Sequence, residues 1–195
     1  SAGVQHIGAT FDSNSNKVVI AYSDQGNSEY GTAIVGTVSG TSISVGSPAV
    51  FESAQTARIN STFDSSSNKV VIAYRTTTGK AVVATVSGTS ISFGTPVEFY
   101  NALTGLAKVG TVSETSISFG AEATFNGANI SAISPAFDSS INKVVIAYED
   151  KGNSDYGTYV VGTVSDTSIS FGTSSVFDSV NIAASMGATF DSANN

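Results

Sequence analysis

The sequence predicts an all-β fold of antiparallel four-stranded repeats, each about 52 residues long and β-propeller-like, and three observations predict it. The segment FDSNSNKVVIAY at Phe11 returns as FDSSSNKVVIAY at Phe63 and FDSSINKVVIAY at Phe137, and begins again as FDSANN at Phe190. A second segment, TVS-x-TSIS, starts at Thr37, Thr85, Thr111 and Thr163. The composition is that of strands and turns: β-branched residues dominate the apolar set, only 12% of residues are charged, and there are three prolines and 19 glycines.

The spacing of these segments sets the organisation. Phe11 to Phe63 is 52 positions and Phe137 to Phe190 is 53, but Phe63 to Phe137 is 74. The second segment locates the break, because Thr37 to Thr85 is 48, Thr85 to Thr111 is 26 and Thr111 to Thr163 is 52. One TVS half therefore follows another with no KVVIAY half between them. The repeats run over about 1–52, 53–100, a half-repeat at 101–126, 127–178, and the start of another at 179–195, within a single repeat domain 1–195. The sequence stops where the next KVVIAY strand is due, so a piece of a longer array is expected, with self-association or further repeats covering its edges.

Each repeat reads as four strands, a to d. Strand a is exemplified by Ile59 to Phe63. The cluster Asp64, Ser65, Ser66, Ser67, Asn68 then carries turn chemistry, since Asp, Ser and Asn side chains bond nearby backbone groups. Strand b, Lys69 to Tyr74, is apolar at successive positions, which predicts burial on both faces, with Val18, Ile20, Val70, Ile72, Val144 and Ile146 inside. Strand c runs from Thr32 to Val38 and turns at Ser39, Gly40 and Thr41. Strand d runs from Ser42 to Phe51 with Gly46 inside it, and Gly94, Gly120 and Gly172 repeat that position. An interior strand glycine marks a bulge or bend. Two further architectures stay open at this point: a β-solenoid or fibre of 26-residue hairpins, and stacked sandwiches.

Several function classes fall away on composition. A formal charge of −7 and a pI near 4.4, with eight scattered basic residues, argue against nucleic acid. No apolar run reaches the ~20 residues a membrane helix needs. The chain has no cysteine and one histidine, His6, in the slot that Arg58 fills in the next repeat, so thiol and Ser/His/Asp chemistry lack their parts and no enzyme is expected. No catalytic residue or metal centre is assigned. Asp12, Asp64, Asp138 and Asp191 recur at every strand-a end, which suits a turn role better than a single catalytic site. Their Asp-x-Ser-x-Asn spacing is similar to the start of a calcium loop but lacks its closing carboxylate.

The b–c loops are the best candidates for binding. Asp24, Asn27, Glu29 and Tyr30 in the first repeat match Asp150, Asn153, Asp155 and Tyr156 in the third. Two carboxylates, an amide and an aromatic ring suit a sugar, with hydrogen bonds to hydroxyls and stacking on the apolar face. The same oxygens would suit Ca²⁺, the one cofactor the composition admits. The plain alternative is a solvated loop with Gly26 or Gly152 at positive φ and the tyrosine folded on the sheet. The second repeat replaces this loop with Thr76, Thr77, Thr78 and Gly79 and should lack the site. The d–a loops, such as 52–58 and 126–130, vary most, and in a propeller they share one face with the b–c loops.

The words NKVVIAY, GNSxYGTxxVGTVS and TSISFGTP at this period resemble repeat tracts of marine-phage virion structural and tail-fibre-like proteins, cyanophages especially, and related marine bacterial repeat proteins. The resemblance covers nearly the whole chain and carries no functional residue with it. It implies an extracellular or virion-surface module. The expected function is non-enzymatic: attachment to a cell-surface glycan or envelope component through the b–c and d–a loops, or a purely structural spacer in a fibre.

Overall fold

The computed structural model describes residues 3–100, 104–181 and 186–191, and no α-helix occurs among them. The chain divides into two compact units, Ser1–Asn101 with Val112–Ser118, and Ala102–Thr111 with Phe119–Asn195.

In the first unit, β1 (Val4–Asp12), β2 (Lys17–Asp24) and β3 (Tyr30–Ser39) form an antiparallel meander. One end of β3 pairs with β4 (Ser42–Val45) and the other with β5 (Ala49–Gln55). Together β4 and β5 are the expected strand d, broken after Val45 at the Gly46 bend. The second repeat follows the same plan with β6 (Ala57–Asp64), β7 (Lys69–Arg75), β8 (Gly79–Ser87), β9 (Ser90–Phe93) and β10 (Val97–Tyr100).

The half-repeat supplies strands c and d alone. Strand c is interrupted into β11 (Thr104–Ala107) and β12 (Gly110–Ser113), and β12 pairs with β13 (Ser116–Phe119). The long β14 (Ala123–Asp138) pairs with β11 over its first part and with β15 (Lys143–Asp150) over its second. It thus ends the half-repeat and opens the third full repeat, which β16 (Tyr156–Ser165), β17 (Ser168–Phe171) and β18 (Ser175–Asn181) complete.

The turn chemistry is as the sequence reads. Asp12 Oδ1 accepts from the backbone N–H groups of Asn14 and Ser15, both at 3.0 Å, and Asp64 and Asp138 cap their a–b turns in the same way. Asn16, Asn68 and Asn142 close these turns in left-handed backbone, which Asn tolerates better than most residues. At the c–d hairpins the first turn residue also has positive φ, and it is Gly40, Gly88, Glu114 or Asp166.

One recurring feature carried no sequence signal. Strand a contains a bulge in every full repeat, and the residue at positive φ there is His6, Arg58 or Ala132. The lone histidine therefore occupies a backbone irregularity of the repeat.

The core lies between sheets. Val19, Ala21, Ala33, Val35 and Phe51 of the first sheet pack on Val70, Ile72, Tyr74, Val82, Ala84 and Ile91 of the second. In the second unit, Ala107 and Phe125 of the half-repeat pack on Val144, Ile146, Tyr148, Val160 and Phe171 of the third. Meanders packed face to face in this manner are propeller-like blades. The expected burial of strand b holds at Val70, Ile72 and Ile146, but Val18, Ile20 and Val144 are only half-buried. The first sheet buries its opposite face, so Val19, Ala21 and Ser23 are the enclosed residues of β2.

Two contacts recur between successive repeats, each within one unit. A Cβ added to Gly46 would strike the carbonyl oxygen of Thr89, at Gly94 that of Thr115, and at Gly120 that of Thr167. Each glycine thus lies against the turn threonine of the following TVS hairpin, and each bend is closed by a glycine N–H to a strand-c carbonyl (Val35, Val83 and Val109, all 2.9 Å). The second contact is aromatic. Phe51 meets Tyr74 and Phe93, and Phe125 meets Tyr148 and Phe171, with ring centroids 5.0–5.7 Å apart.

Candidate functional site

The β2–β3 loop is built by its own carboxylates. Asp24 Oδ1 accepts from Gly26 N–H at 2.9 Å and caps a single 3₁₀ turn, Gln25–Asn27. Glu29 N–H then donates to the Asp24 carbonyl at 2.8 Å. The strained residues are Ser28 and Glu29, at φ 55 and 59, while Gly26 lies outside the left-handed region, so the expected glycine turn is corrected. The cause is visible at the Glu29 carbonyl. It is turned inward and accepts from Ser23 Oγ, Thr56 N–H and Thr56 Oγ1 at 3.0–3.2 Å, and Ser23 and Thr56 are both buried. Satisfying those buried donors offsets a backbone conformation that costs ordinary residues about 1–2 kcal/mol.

The β15–β16 loop repeats the device. Asp150 Oδ1 accepts from Gly152 N–H at 3.0 Å, and Ser154 and Asp155 hold φ 57 and 60. Gly152 again has no positive φ; a Cβ there would press on Ala128.

The second carboxylate of each loop reaches strand d. Gln55 Nε2 donates to Glu29 Oε2, and Asn181 Nδ2 donates to Asp155 Oδ2 at 3.0 Å. Tyr30 and Tyr156 are half-buried and sit opposite Gln55 and Asn181 in the ladder. Asn27 and Asn153 are exposed at the loop tips. All four residues of each set therefore lie on one loop, but all four carboxylates use a side-chain oxygen on the protein itself: Asp24 and Asp150 shape the loop, and Glu29 and Asp155 tie it to strand d. In the second repeat the short loop is closed by Thr76 N–H to the Thr78 carbonyl at 3.0 Å, and Thr78 Oγ1 donates to Glu98 at 2.9 Å.

Charge is balanced differently in the two loops. Lys151 pairs with Glu149 at 2.7 Å and with Asp155 at 3.3 Å, and Ser131 Oγ also donates to Glu149. The Lys151 bond, followed by the Ser131 bond, holds the Glu149 carboxyl below the usual range, and the same bond raises the Lys151 ammonium. In the first repeat Ser23 stands where Glu149 does, and Gln25 where Lys151 does. There the Tyr22 hydroxyl is raised by burial and then by the Asp24 charge.

A polar group that the sequence did not announce lies between the first two sheets. Glu52 Oε2 accepts from the Tyr74 hydroxyl at 3.0 Å and pairs with Lys80 at 2.9 Å. Burial, and then the Glu52 charge, push the Tyr74 hydroxyl well up. Its counterpart in the second unit is Asn126, whose Nδ2 donates to the Tyr148 hydroxyl at 3.4 Å. Lys80 replaces the Thr32 and Thr158 of the other repeats, and that departure was the available clue.

Among the described residues, no three His, Asp or Glu side chains converge as a metal site would need. No helix among them is long and apolar enough to cross a membrane. No protein-family model matches the chain, and no curated protein matches it in sequence.

Proposed function

We propose that this chain is a non-enzymatic structural repeat module, a spacer in a virion or envelope fibre displayed outside the cell. One observation carries this: the polar side chains that could have formed a site are engaged in building the repeat. Asp24 and Asp150 shape the loops, Glu29 and Asp155 are tied to strand d, and Asp12, Asp64 and Asp138 cap turns. The apolar side chains meanwhile repeat one inter-sheet contact. The placement outside the cell rests on the resemblance of the repeat words to phage virion and marine bacterial repeat tracts.

A second reading is attachment to a cell-surface glycan through the b–c loops. The half-exposed rings of Tyr30 and Tyr156 beside exposed Asn27 and Asn153 favour it, and weak sites repeated along a fibre would gain avidity. Retention on immobilised cell-surface polysaccharides, in calcium and in chelator, separates the two. The spacer reading expects no retention by the parent. Retention that is lost in Asn27→Ala with Asn153→Ala, at an unchanged melting temperature, would establish attachment instead.

A further inference from the structure

The first and third sheets each expose one face that their counterparts bury. Phe51 is 7% exposed, but its equivalent Phe177 is 54% exposed; Val35 is fully buried, but Val161 is 38% exposed. Tyr159, in the place of the enclosed Ala33, is also open. The register fixes these equivalences, since Gly31 pairs with Glu52 and Gly157 with Asp178. On the first sheet the other face is open. Ile43 is 50% exposed where Ile91 and Ile117 are 8% and 7%. Phe11, Val38 and Val45 are exposed around it, and Tyr22 is half-buried.

These two faces are the two halves of the contact already made inside the chain. Within it, a strand-d phenylalanine meets the strand-b tyrosine of the following sheet, and the next residue, Glu52 or Asn126, bonds that tyrosine's hydroxyl. Phe177 and Asp178 offer the first half, and Tyr22 with Val45 offers the second. The glycine rule agrees. Gly46, Gly94 and Gly120 each receive a turn threonine, whereas the nearest atom to a Cβ on Gly172 would be the Val161 carbonyl of the neighbouring strand β16, at 3.8 Å. Thr41 is the turn threonine of the first hairpin, and none of Gly46, Gly94, Gly120 and Gly172 lies against it.

We propose that the chain binds a second copy of itself head to tail, Phe177, Asp178 and Gly172 of one copy seating on Tyr22, Val45 and Thr41 of the next. The proposal rests on the spacer reading and names its partner. The contact is heterologous, so each copy keeps one free face for another, and assembly continues unless a ring closes.

The test uses the full chain and two single-face variants, Phe177→Glu and Ile43→Glu, in sedimentation velocity across a concentration series. Both sites are exposed, and circular dichroism checks folding; Val161→Glu and Val45→Glu form a second pair. The parent is expected to form concentration-dependent oligomers. Each variant alone should stay monomeric, and an equimolar mixture should give a one-to-one dimer through the two intact faces. Gly172→Ala should weaken the parent's association at least tenfold without moving its melt. A parent that stays monomeric at its solubility limit overturns the proposal, as do single variants that associate like the parent or a mixture that stays monomeric. Such a result leaves the spacer reading standing, which fails separately if polysaccharide is retained.

Discussion

Phe51 meets Tyr74 edge to face across the gap between the first two sheets, with centroids 5.0 Å apart and planes at 61°. The ring of Phe51 also lies directly on Gly31 of its own sheet, where a side chain would leave it no room. One phenylalanine thereby couples two repeats. Aromatic pairs of this geometry add about 0.5–1.5 kcal/mol beyond their buried area. Phe51→Ala should therefore lower unfolding free energy by about 3–5 kcal/mol, measured by equilibrium urea denaturation.

Strand b provides a graded comparison. Ile72 is fully buried and its equivalent Ile20 is half-buried on an open face. Ile72→Ala should cost about 2–5 kcal/mol. Ile20→Ala removes the same atoms from a site that water already reaches and should cost well under half as much. Equal losses would show that the first sheet's Tyr22 face is covered in solution.

The bulge offers a stabilising change. Ala132 holds φ 47, where a Cβ costs about 1–2 kcal/mol. Glycine removes that strain but loses about 0.5–1 kcal/mol more conformational freedom on folding. Ala132→Gly should thus raise stability by about 0.5–1 kcal/mol net, read as a shift in urea midpoint at unchanged slope.

Stability should fall at both ends of the pH scale for assignable reasons. The Asp64 carboxyl lies below its ordinary 3.8, chiefly through the Ser66 and Ser67 hydroxyls. A depressed carboxyl stabilises fully above the unfolded value and loses that contribution as pH falls through the folded one. Asp64→Asn should flatten the acid limb below pH 3.8. Tyr74 shows the opposite sign. Its hydroxyl is raised above 10.0, so its contribution is complete below that pH and is lost as the unfolded chain ionises above it. Tyr74→Phe should reduce the alkaline loss, followed by fluorescence or circular dichroism.

The repeat glycines give a last comparison. Gly94→Ala would place a methyl group on the Thr115 carbonyl. Backbone must move to admit it, at about 1–3 kcal/mol. Gly40→Ala meets no atom within 4 Å and suffers only its φ of 58, so it should cost about 1 kcal/mol. Thermal melts of the two variants check the order.

The repeats, the four strands, the Asp-capped turns and the Gly46 bend were legible because each has a local cause. Alternation, turn residues and spacing act within a few positions. What escaped was set by neighbours in space. KVVIAY is apolar on both sides, so period alone could not say that the first sheet encloses Val19 and the second Val70. The left-handed slot at His6, Arg58 and Ala132 is filled by three unlike residue types, of which only histidine favours it, so no repeated residue marked it. For the candidate loops the residue set was legible but its use was not. Two-carboxylate composition looks the same whether the oxygens face a ligand or, as with Asp24 and Glu29, the loop's own N–H groups and Gln55.

The half-repeat bears on how such a chain can change length. It lacks strands a and b, yet Gly94 still finds Thr115, and Gly120 still finds Thr167. The hairpin carrying TVS and SIS is therefore the indivisible increment, and Thr85 to Thr111, 26 positions, is its span. Gene duplication or deletion by one such hairpin keeps each bend glycine that precedes another hairpin matched to a threonine. Lineages of this repeat can drift in size by half-steps, so relatives should differ by multiples of that shorter period rather than of the full four-stranded unit.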